Sequence, residues 1–285
     1  MKGIIIKGIG GFYYVKCEDQ KIYECKARGI FRKQNIKPII GDKVLIEIDK
    51  DKGNIVEIKE RHTVLVRPPV SNVDNLMIVI ASKNPNPDFM LIDKMIVTAE
   101  SKGIKPIICI NKTDLDEGEE IRKTYEMAGY PIFMVSTYEK EGLEKLKDFL
   151  KDKVTAFAGL SGVGKSSILN ELIDFYAETG DISDKIKRGK HTTRHVELFE
   201  LEGGGFILDT PGFSSFEMED IKASDLCEYF PEMREHDGCR FKGCAHINEP
   251  DCGVKEKLKL GGIDTKRYEN YKQIYEILSK RKDWE

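Results

Sequence analysis

Residues 159–166 read GLSGVGKS and match G-x-x-x-x-G-K-[ST], the pattern of a phosphate-binding P-loop. Glycines in such a turn let backbone N–H groups face a phosphate at the N-terminus of the next helix. Lys165 is then expected to reach the β- and γ-phosphate oxygens, and the Ser166 hydroxyl to bind Mg²⁺. The residues predicted to surround the phosphates are Gly159, Ser161, Gly162, Val163, Gly164, Lys165, Ser166 and Ser167.

A second motif, NKTD at 111–114, follows the apolar run PIICI, and open α/β sheets bind ligands at the carboxyl ends of such strands. The Asp114 carboxylate can accept hydrogen bonds from the guanine N1–H and N2–H₂, a donor pair that adenine lacks. Asn111 is expected to tie this loop to the P-loop, and the Lys112 stem to cover the base. Ser136, after PIFMV, fits a second base-contact loop. Together these residues predict a guanine nucleotide site.

The sequence DTPG at 209–212 follows another apolar run, GFIL. Asp209 can hold Mg²⁺ through a water, and the Gly212 N–H can meet the γ-phosphate. The polar segment GKHTTR at 189–194 offers a threonine hydroxyl to complete the magnesium shell, with Thr193 favoured and Thr192 as the alternative. A loop held by the γ-phosphate and Mg²⁺ would act as an order–disorder switch, whereas the plainer interpretation is a mobile surface loop.

Phe213 follows DTPG, near the place where many GTPases carry a glutamine that orients the attacking water. A phenylalanine cannot orient water, so another group or a partner must do so. We hypothesise that the neutral imidazole of His191 takes this part; the alternative is a solvent-exposed histidine. The predicted catalytic residues are therefore His191, Lys165 and Thr193.

A cluster of cysteine and histidine lies near the C-terminus, with the spacing Cys239-x₄-Cys244-x-His246-x₅-Cys252. Three thiolates and one imidazole suit a tetrahedral zinc ion, and four protein ligands leave no open position. The cluster thus predicts a structural zinc site rather than a catalytic one. Buried free cysteines are the alternative, and His236 is a weaker alternative ligand.

The elements that must position these motifs fall into three predicted domains. Residues 1–66 alternate five short strand-like runs with glycine turns, no helical pattern interrupts them, and an OB-fold β-barrel is the natural candidate. Arg67-Pro68-Pro69 looks like a linker. Residues 67–216 alternate strands and helices, which is typical of a doubly wound α/β fold. Residues 217–285 look mostly helical, with Tyr268, Tyr271, Tyr275 and Leu278 on one buried helix face.

The motif order NKTD, VST, GKS, TT, DTPG resembles that of the circularly permuted GTPases, in which NKTD precedes the P-loop. More closely, the whole chain resembles the ribosome small subunit-dependent GTPase family. The segments that carry this resemblance are GDKV at 41–44, LVRPPVSNVDNLMIV at 65–79, NKTD, GLSGVGKSS, GKHTTR, DTPGF and the Cys/His cluster.

The resemblance implies an OB-fold, a permuted α/β P-loop GTPase core and a C-terminal zinc domain. It implies GTP hydrolysis during late maturation of the small ribosomal subunit, stimulated by that subunit. The expected cofactors are GTP or GDP, Mg²⁺ and one structural Zn²⁺. Gly162 occupies the place of an asparagine that supports potassium activation in some GTPases, so this potassium dependence is not expected.

The charge of −3 is unevenly spread, with +5 over residues 1–66, −11 over 67–254 and +3 over 255–285. Basic ends suggest contact with a polyanion such as ribosomal RNA, although solvated surface lysines would look the same. The candidate RNA-binding residues are Lys26, Arg28, Arg32 and Lys33, with Phe12, Tyr13, Tyr14, Tyr23 and Phe31 as stacking candidates, and Lys280, Arg281, Lys282 and Trp284 at the C-terminus.

Composition also limits the class of protein. No apolar run approaches the ~20 residues of a membrane span, the N-terminus lacks a signal peptide, and seven cysteines argue against a secreted disulfide framework. We therefore expect a cytoplasmic monomer whose partner is the small ribosomal subunit, with neither membrane nor DNA involved. The alternative function is a non-enzymatic RNA-binding scaffold that uses GTP only as an ordering ligand.

Overall fold

The structure, a computed structural model, describes residues 1–49, 52–66, 68–173, 196–201, 203–208, 218, 220–236 and 238–281. The strands in this part of the chain are β1 Lys2–Ile9, β2 Phe12–Cys17, β3 Ile22–Ala27, β4 Lys43–Asp49, β5 Lys52–Ile58, β6 Val64–Leu65, β7 Val70–Ser71, β8 Asn75–Ala81, β9 Lys105–Asn111, β10 Ile132–Met134, β11 Val154–Ala158, β12 Leu198–Glu200 and β13 Phe206–Leu208. The helices are α1 Gly29–Lys33, α2 Phe89–Ser101, α3 Glu119–Glu126, α4 Leu143–Leu150, α5 Lys165–Ile173, a 3₁₀ helix Ala223–Tyr229, α6 Pro231–Arg234, α7 Gly253–Lys259 and α8 Thr265–Ser279.

The chain divides into two compact units. The barrel unit combines Met1–Leu76, Lys145–Phe157 and Ser166–Phe213, and the C-terminal unit combines Met77–Glu144, Ala158–Lys165 and Ser214–Glu285. Among the described residues, the structure has no helix of the length and apolarity that crossing a membrane requires.

Strands β1–β5 close into a barrel in the order β1-β2-β3-β5-β4. Only the β3–β5 pair is parallel; the other pairs are antiparallel. Alternate residues point inward, and Ile5, Val15, Val44 and Ile55 form part of a core that is shielded from water. This closed five-stranded barrel confirms the fold expected of the N-terminal segment.

The prediction that no helix interrupts these strands is wrong, because α1 forms a single helical turn between β3 and β4. Phe31, on that turn, is only 6% exposed and packs into the barrel core. Five residues are too few to show a helical repeat of 3.6 in the sequence. The turn is therefore recognisable only from its tertiary packing.

The predicted linker around Pro68 and Pro69 is instead the turn of a small hairpin, since β6 pairs with β7 in antiparallel register. The hairpin is fixed to the barrel through Asp42, whose side chain is fully buried. The Asp42 carboxylate accepts hydrogen bonds from Arg61 Nε at 2.7 Å and from Ser71 Oγ at 2.6 Å. A charged group without access to water requires such partners, and here they hold the segment against the barrel.

The rest of the barrel unit contains β11, β13 and β12 in that order, with β11 parallel and β12 antiparallel to β13. Two ion pairs join this group to the barrel: Lys7 Nζ lies 2.9 Å from Glu197, and Lys16 Nζ lies 2.7 Å from Glu200. The barrel is therefore attached to β12 and to the residue just before it.

In the C-terminal unit, β10, β9 and β8 are neighbours in that order, and β10 runs parallel to β9. All seven residues of β8 are buried, as expected of a strand covered by helices on both faces. Strands and helices alternate from β8 to α4, in agreement with the predicted α/β pattern.

Helix α8 is the longest in the described chain, and its N-cap Asp264 accepts a hydrogen bond from the Lys266 N–H at 2.8 Å. Tyr268, Tyr271 and Leu278 are at most 6% exposed and Tyr275 packs beside them, so the predicted buried face is confirmed.

Candidate functional site

The segment 159–164 links β11 to α5, so that the nine-residue helix begins at Lys165. Gly159, Gly162 and Gly164 all have positive φ angles. A Cβ on Gly159 would lie 2.3 Å from Val79 O, and one on Gly164 would lie 2.1 Å from Asn111 Nδ2. These approaches, as well as the left-handed backbone, require glycine at both positions.

Lys165 extends back over this loop, and its Nζ donates hydrogen bonds to Gly159 O and Leu160 O, both at 2.7 Å. Its ammonium therefore lies beside the loop that begins at the end of β11. Ser166 and Ser167 are exposed in the first turn of α5, where the N-terminal end of a helix attracts anions.

Asn111 is the last residue of β9 and is fully buried. Its Nδ2 donates a hydrogen bond to Val163 O at 2.9 Å, which joins the NKTD motif to the P-loop. Within the described residues, its Oδ1 is also buried but has no hydrogen-bond donor. A buried acceptor without a donor is costly, so this atom suits a site that receives a polar ligand.

Lys112 has a φ of 64°, a left-handed conformation that residues with a Cβ adopt rarely. Its side chain reaches the P-loop, where Nζ donates to Gly162 O at 2.8 Å, and Nζ also donates to Asn84 O in the loop after β8. The aliphatic stem of Lys112 therefore lies between NKTD and the P-loop.

Asp114 and Ser136 are brought together by the tertiary structure although they are 22 residues apart. Ser136 Oγ donates a hydrogen bond to Asp114 Oδ1 at 2.6 Å, and Ser136 is fully buried. Paired backbone hydrogen bonds between Ser136 and Glu141, at 3.1 and 3.0 Å, close the loop after β10. The serine thereby fixes the orientation of the carboxylate that is predicted to read the base.

Several predicted site residues lie outside the described residues, and their roles stay predictions from sequence. They are His191, Thr192, Thr193, Asp209, Gly212 and Phe213.

The structure gathers the predicted zinc ligands, because the ligand atoms of Cys239, Cys244, His246 and Cys252 all lie within 4.8 Å of one another. The Cys239 and Cys252 sulfurs are 3.9 Å apart, and His246 Nδ1 lies 3.5 and 3.3 Å from them. Tetrahedral coordination with Zn–S near 2.3 Å and Zn–N near 2.0 Å places sulfurs about 3.8 Å apart and nitrogen about 3.5 Å from sulfur. This donor set and spacing are compatible with zinc.

Neighbouring groups hold the ligands in place. The Tyr268 and Tyr271 hydroxyls donate to His246 O at 2.7 Å and Ala245 O at 2.9 Å. Burial lowers the pKa of His246, which favours the neutral imidazole that a metal requires. His236 lies outside the ligand set; its ring centroid is 5.1 Å from that of His246, and its Nδ1 lies 3.0 Å from Met233 O.

The candidate RNA-binding residues of the barrel differ in the contacts that their side chains already make within the protein. Lys26 Nζ lies 5.0 Å from the centre of the Phe12 ring, while Phe31 belongs to the core. The Tyr23 hydroxyl donates to Asp19 at 2.7 Å, and Arg28 pairs with Glu47.

Four further barrel candidates differ in environment. Tyr14 donates to Glu24 at 3.4 Å, and Tyr13 packs against the core of the barrel. Arg32 and Lys33 belong to α1.

At the C-terminus, Lys280 Nζ contacts Glu276 at 2.6 Å and Arg281 donates to Met218 O at 2.7 Å. Lys282 and Trp284 lie outside the described part of the chain.

Two features of the structure, one beside the NKTD motif and one in the C-terminal unit, were not foreseen from the sequence. The loop after β8 contacts NKTD, since Ser82 Oγ donates to Lys112 O at 2.6 Å. The available signal was the position of this loop, SKNPNP, at the carboxyl end of a buried strand. The second feature is a buried ion network in which Arg267 contacts Asp93 and Glu232.

Comparison with known proteins identifies the family. The family described as RsgA GTPase matches residues 58–219, and the RsgA N-terminal domain matches residues 2–56. A protein of Ruminiclostridium cellulolyticum named small ribosomal subunit biogenesis GTPase RsgA is 51% identical, over 97% of this chain and 93% of its own. A protein of the same name from Agathobacter rectalis is 47% identical over the full length of both chains.

Two solved structures agree with this result. YloQ, described as a circularly permuted GTPase, superposes with a TM-score of 0.85 at 38% identity and covers 100% of this chain and 96% of its own. YjeQ from Thermotoga maritima also has a TM-score of 0.85, at 36% identity and 99% coverage of each chain. Along the sequence, an N-terminal barrel is followed by an NKTD motif and then a P-loop, which is the permuted order. This chain belongs to the RsgA GTPase family and is a GTP hydrolase with a site for guanine nucleotide and Mg²⁺.

Proposed function

We propose that this GTPase acts in late maturation of the small ribosomal subunit, binding ribosomal RNA through its terminal regions, with hydrolysis stimulated by the subunit. The observation that supports the nucleotide part most directly is the hydrogen bond between Asn111 Nδ2 and Val163 O, which joins the two motifs. The names of the relatives described above support the ribosomal part. A bacterial ribosome-assembly factor of this kind would act as a cytoplasmic monomer.

Guanine is selected, on this proposal, by the Asp114 carboxylate, which Ser136 Oγ orients from 2.6 Å. An Asp114→Asn substitution exchanges one acceptor for a donor and suits xanthine, which presents a C2 oxygen beside its N1–H. Two charge-assisted hydrogen bonds contribute roughly 1.5–3 kcal/mol each, so we expect GDP affinity to fall at least about 100-fold. Gained affinity for xanthosine diphosphate, measured by competition, supports the assignment; unchanged GDP affinity contradicts it.

The phosphates and metal are assigned by the P-loop. Backbone N–H groups of residues 159–167 and the Lys165 ammonium would hold the phosphates. Mg²⁺ would be held by Ser166, by Asp209 and by Thr193 or its alternative Thr192. The ion would neutralise the charge that develops on the γ-phosphate. Gly212 would sense that phosphate through its N–H.

Water positioning is assigned to His191, because Phe213 offers no hydrogen bond at the usual place. His191→Ala is expected to lower the turnover number while GTP affinity stays close to that of the wild type. Equal turnover in the two proteins would transfer this role to another group or to the ribosomal partner.

We assign a structural Zn²⁺ to Cys239, Cys244, His246 and Cys252, supported by their spacing and by the absence of any fifth ligand within the described neighbourhood. Such an ion would connect the loops that precede α7, where local helical structure is too short to be stable alone. It would thereby stabilise the last of the three domains that we propose, which span residues 1–66, 67–216 and 217–285.

One experiment tests the ribosomal role. GTP turnover is measured with the chain alone, with small subunits and with large subunits, over a series of salt concentrations. Stimulation by small subunits alone, with binding that weakens steeply as salt rises, supports the proposal, because phosphate contacts release counterions. Turnover that small subunits leave unchanged, or that large subunits raise equally, would contradict this role.

A further inference from the structure

The first residue after β8, Ser82, makes two hydrogen bonds to consecutive residues of the NKTD motif. Its backbone N–H donates to Asn111 O at 2.8 Å, and its Oγ donates to Lys112 O at 2.6 Å. Ser82 is half-buried, so water competes only in part for these bonds. One serine thus holds the two carbonyl groups at the point where β9 ends and the base-reading loop begins.

The residue it holds is in an unusual conformation. Lys112 has a φ of 64°, which is disfavoured for any residue with a Cβ and persists only where neighbouring groups determine it. The Lys112 carbonyl also accepts from the Leu115 N–H at 2.9 Å, so this oxygen closes the turn that contains Asp114. A change in its direction would move both the Lys112 side chain and the Asp114 carboxylate.

The opposite ends of the loop are fixed by other groups. Lys112 Nζ donates to Gly162 O at 2.8 Å and to Asn84 O, two residues after Ser82. Asp114 is held by Ser136 Oγ. The Ser82 hydroxyl thus constrains the backbone between these anchors through its bond to Lys112 O.

We propose that Ser82 is a positioning residue for guanine recognition: its hydroxyl keeps Lys112 in the left-handed conformation that aims Asp114 at the base. This inference rests on the guanine-reading role proposed for Asp114. Ser82 itself acts through Lys112 and is not assigned a contact with the nucleotide.

The test compares Ser82→Ala, Ser82→Thr and the control Ser101→Ala in the full-length chain, by titration with GDP and with inosine diphosphate. Ser101 Oγ donates to Thr98 O at 3.0 Å on α2, so the control removes a similar serine-to-carbonyl bond elsewhere. Inosine diphosphate lacks the N2 amino group and therefore reports on one of the two hydrogen bonds to Asp114. Thermal unfolding of each variant measures any general loss of stability.

We expect Ser82→Ala to weaken GDP binding about tenfold and inosine diphosphate binding by less, so that the preference for guanine narrows. Ser82→Thr, which keeps the hydroxyl, should restore both affinities to within about twofold, and Ser101→Ala should match the wild type. Equal losses for both nucleotides, or no loss, would overturn the inference. If Ser82→Ala does not fold, Ser82→Cys, whose thiol is a weak donor, is measured against the same outcomes.

The failure of the two proposals can be told apart. Wild-type protein that does not prefer GDP to inosine diphosphate would overturn the role of Asp114 itself. A wild-type preference that Ser82→Ala leaves unchanged would overturn only the role of Ser82.

Discussion

Arg267 provides the sharpest test of how the last helix is attached to the GTPase core. Its side chain is fully buried in α8, and Nη1 lies 2.5 Å from Asp93 on α2. Nε and Nη2 donate to the two oxygens of Glu232 at 2.7 and 3.1 Å, and Asn270 donates to Asp93 at 2.6 Å. Arg267 therefore neutralises two carboxylates that have no access to water.

Replacing Arg267 by Met keeps most of the apolar volume but leaves both carboxylates unpaired. Removing one partner of a buried ion pair costs about 3–5 kcal/mol, whereas an exposed pair contributes about 0–1 kcal/mol. At ~2–4 °C per kcal/mol for a unit of this size, the melting temperature should fall by roughly 6–20 °C. The matched control is Arg122→Met on α3, whose side chain is 36% exposed and pairs with Glu119.

The dependence on pH has a defined sign. Burial raises the pKa of Asp93, and the charge of Arg267 opposes this shift. In Arg267→Met this opposition is lost, so the pKa of Asp93 in the folded chain rises further above its value in the unfolded chain. The folded variant then holds the Asp93 proton more tightly than the unfolded chain does, and its stability falls as pH rises above the ordinary aspartate range. The stability difference between wild type and Arg267→Met should therefore be larger at pH 8 than at pH 5.

Circular dichroism during thermal unfolding at both pH values measures these differences. Adding Asp93→Asn to Arg267→Met should recover part of the lost stability, because one unpaired charge is removed. A melting temperature for Arg267→Met equal to that of Arg122→Met would refute the reasoning, since it would mean that the buried carboxylates find other compensation.

Three further outcomes are expected. Lys16→Glu and Glu200→Lys should each destabilise the barrel unit by about 1–2 kcal/mol. The double variant should recover most of this loss, because it restores the half-buried ion pair at 2.7 Å with the charges exchanged. Losses that simply add in the double variant would contradict the pairing. Gly159→Ala should reduce GTP affinity at least about 100-fold in a binding titration, because its Cβ would lie 2.3 Å from Val79 O and distort the phosphate loop. Cys252→Ser should lower the bound zinc from one ion per chain, measured by atomic emission, and loosen the C-terminal helices; full zinc content would reject the ligand.

Predictions based on local patterns agree well with the fold. The strands of the barrel, the alternation from β8 to α4 and the buried face of α8 each follow a hydrophobic period that the sequence displays directly. The P-loop glycines were also predictable, because their spacing reflects what a phosphate-binding turn requires. Such features depend on neighbours within one element, and for that reason they can be read without the fold.

Predictions failed or were missing where a segment takes its structure from distant contacts. Helix α1 exists because Phe31 packs into the barrel, and the turn at Pro68 is fixed through Asp42 and Arg61. The sequence analysis assigned no role to Ser82, whose hydroxyl reaches Lys112, 30 residues later. None of these residues belongs to a motif that could have indicated its partner.

The sequence by itself indicated which chemistry this protein carries: a phosphate loop, an NKTD motif placed before it, and three cysteines and a histidine at a spacing that suits a metal. Only the tertiary structure decided what holds that chemistry in place. Arg267 illustrates the difference, because an arginine in a helical pattern is normally expected at the surface. It is buried since Asp93, 174 residues earlier, and Glu232 supply charges that no local pattern could assign to it, and such compensation exists only in the folded chain.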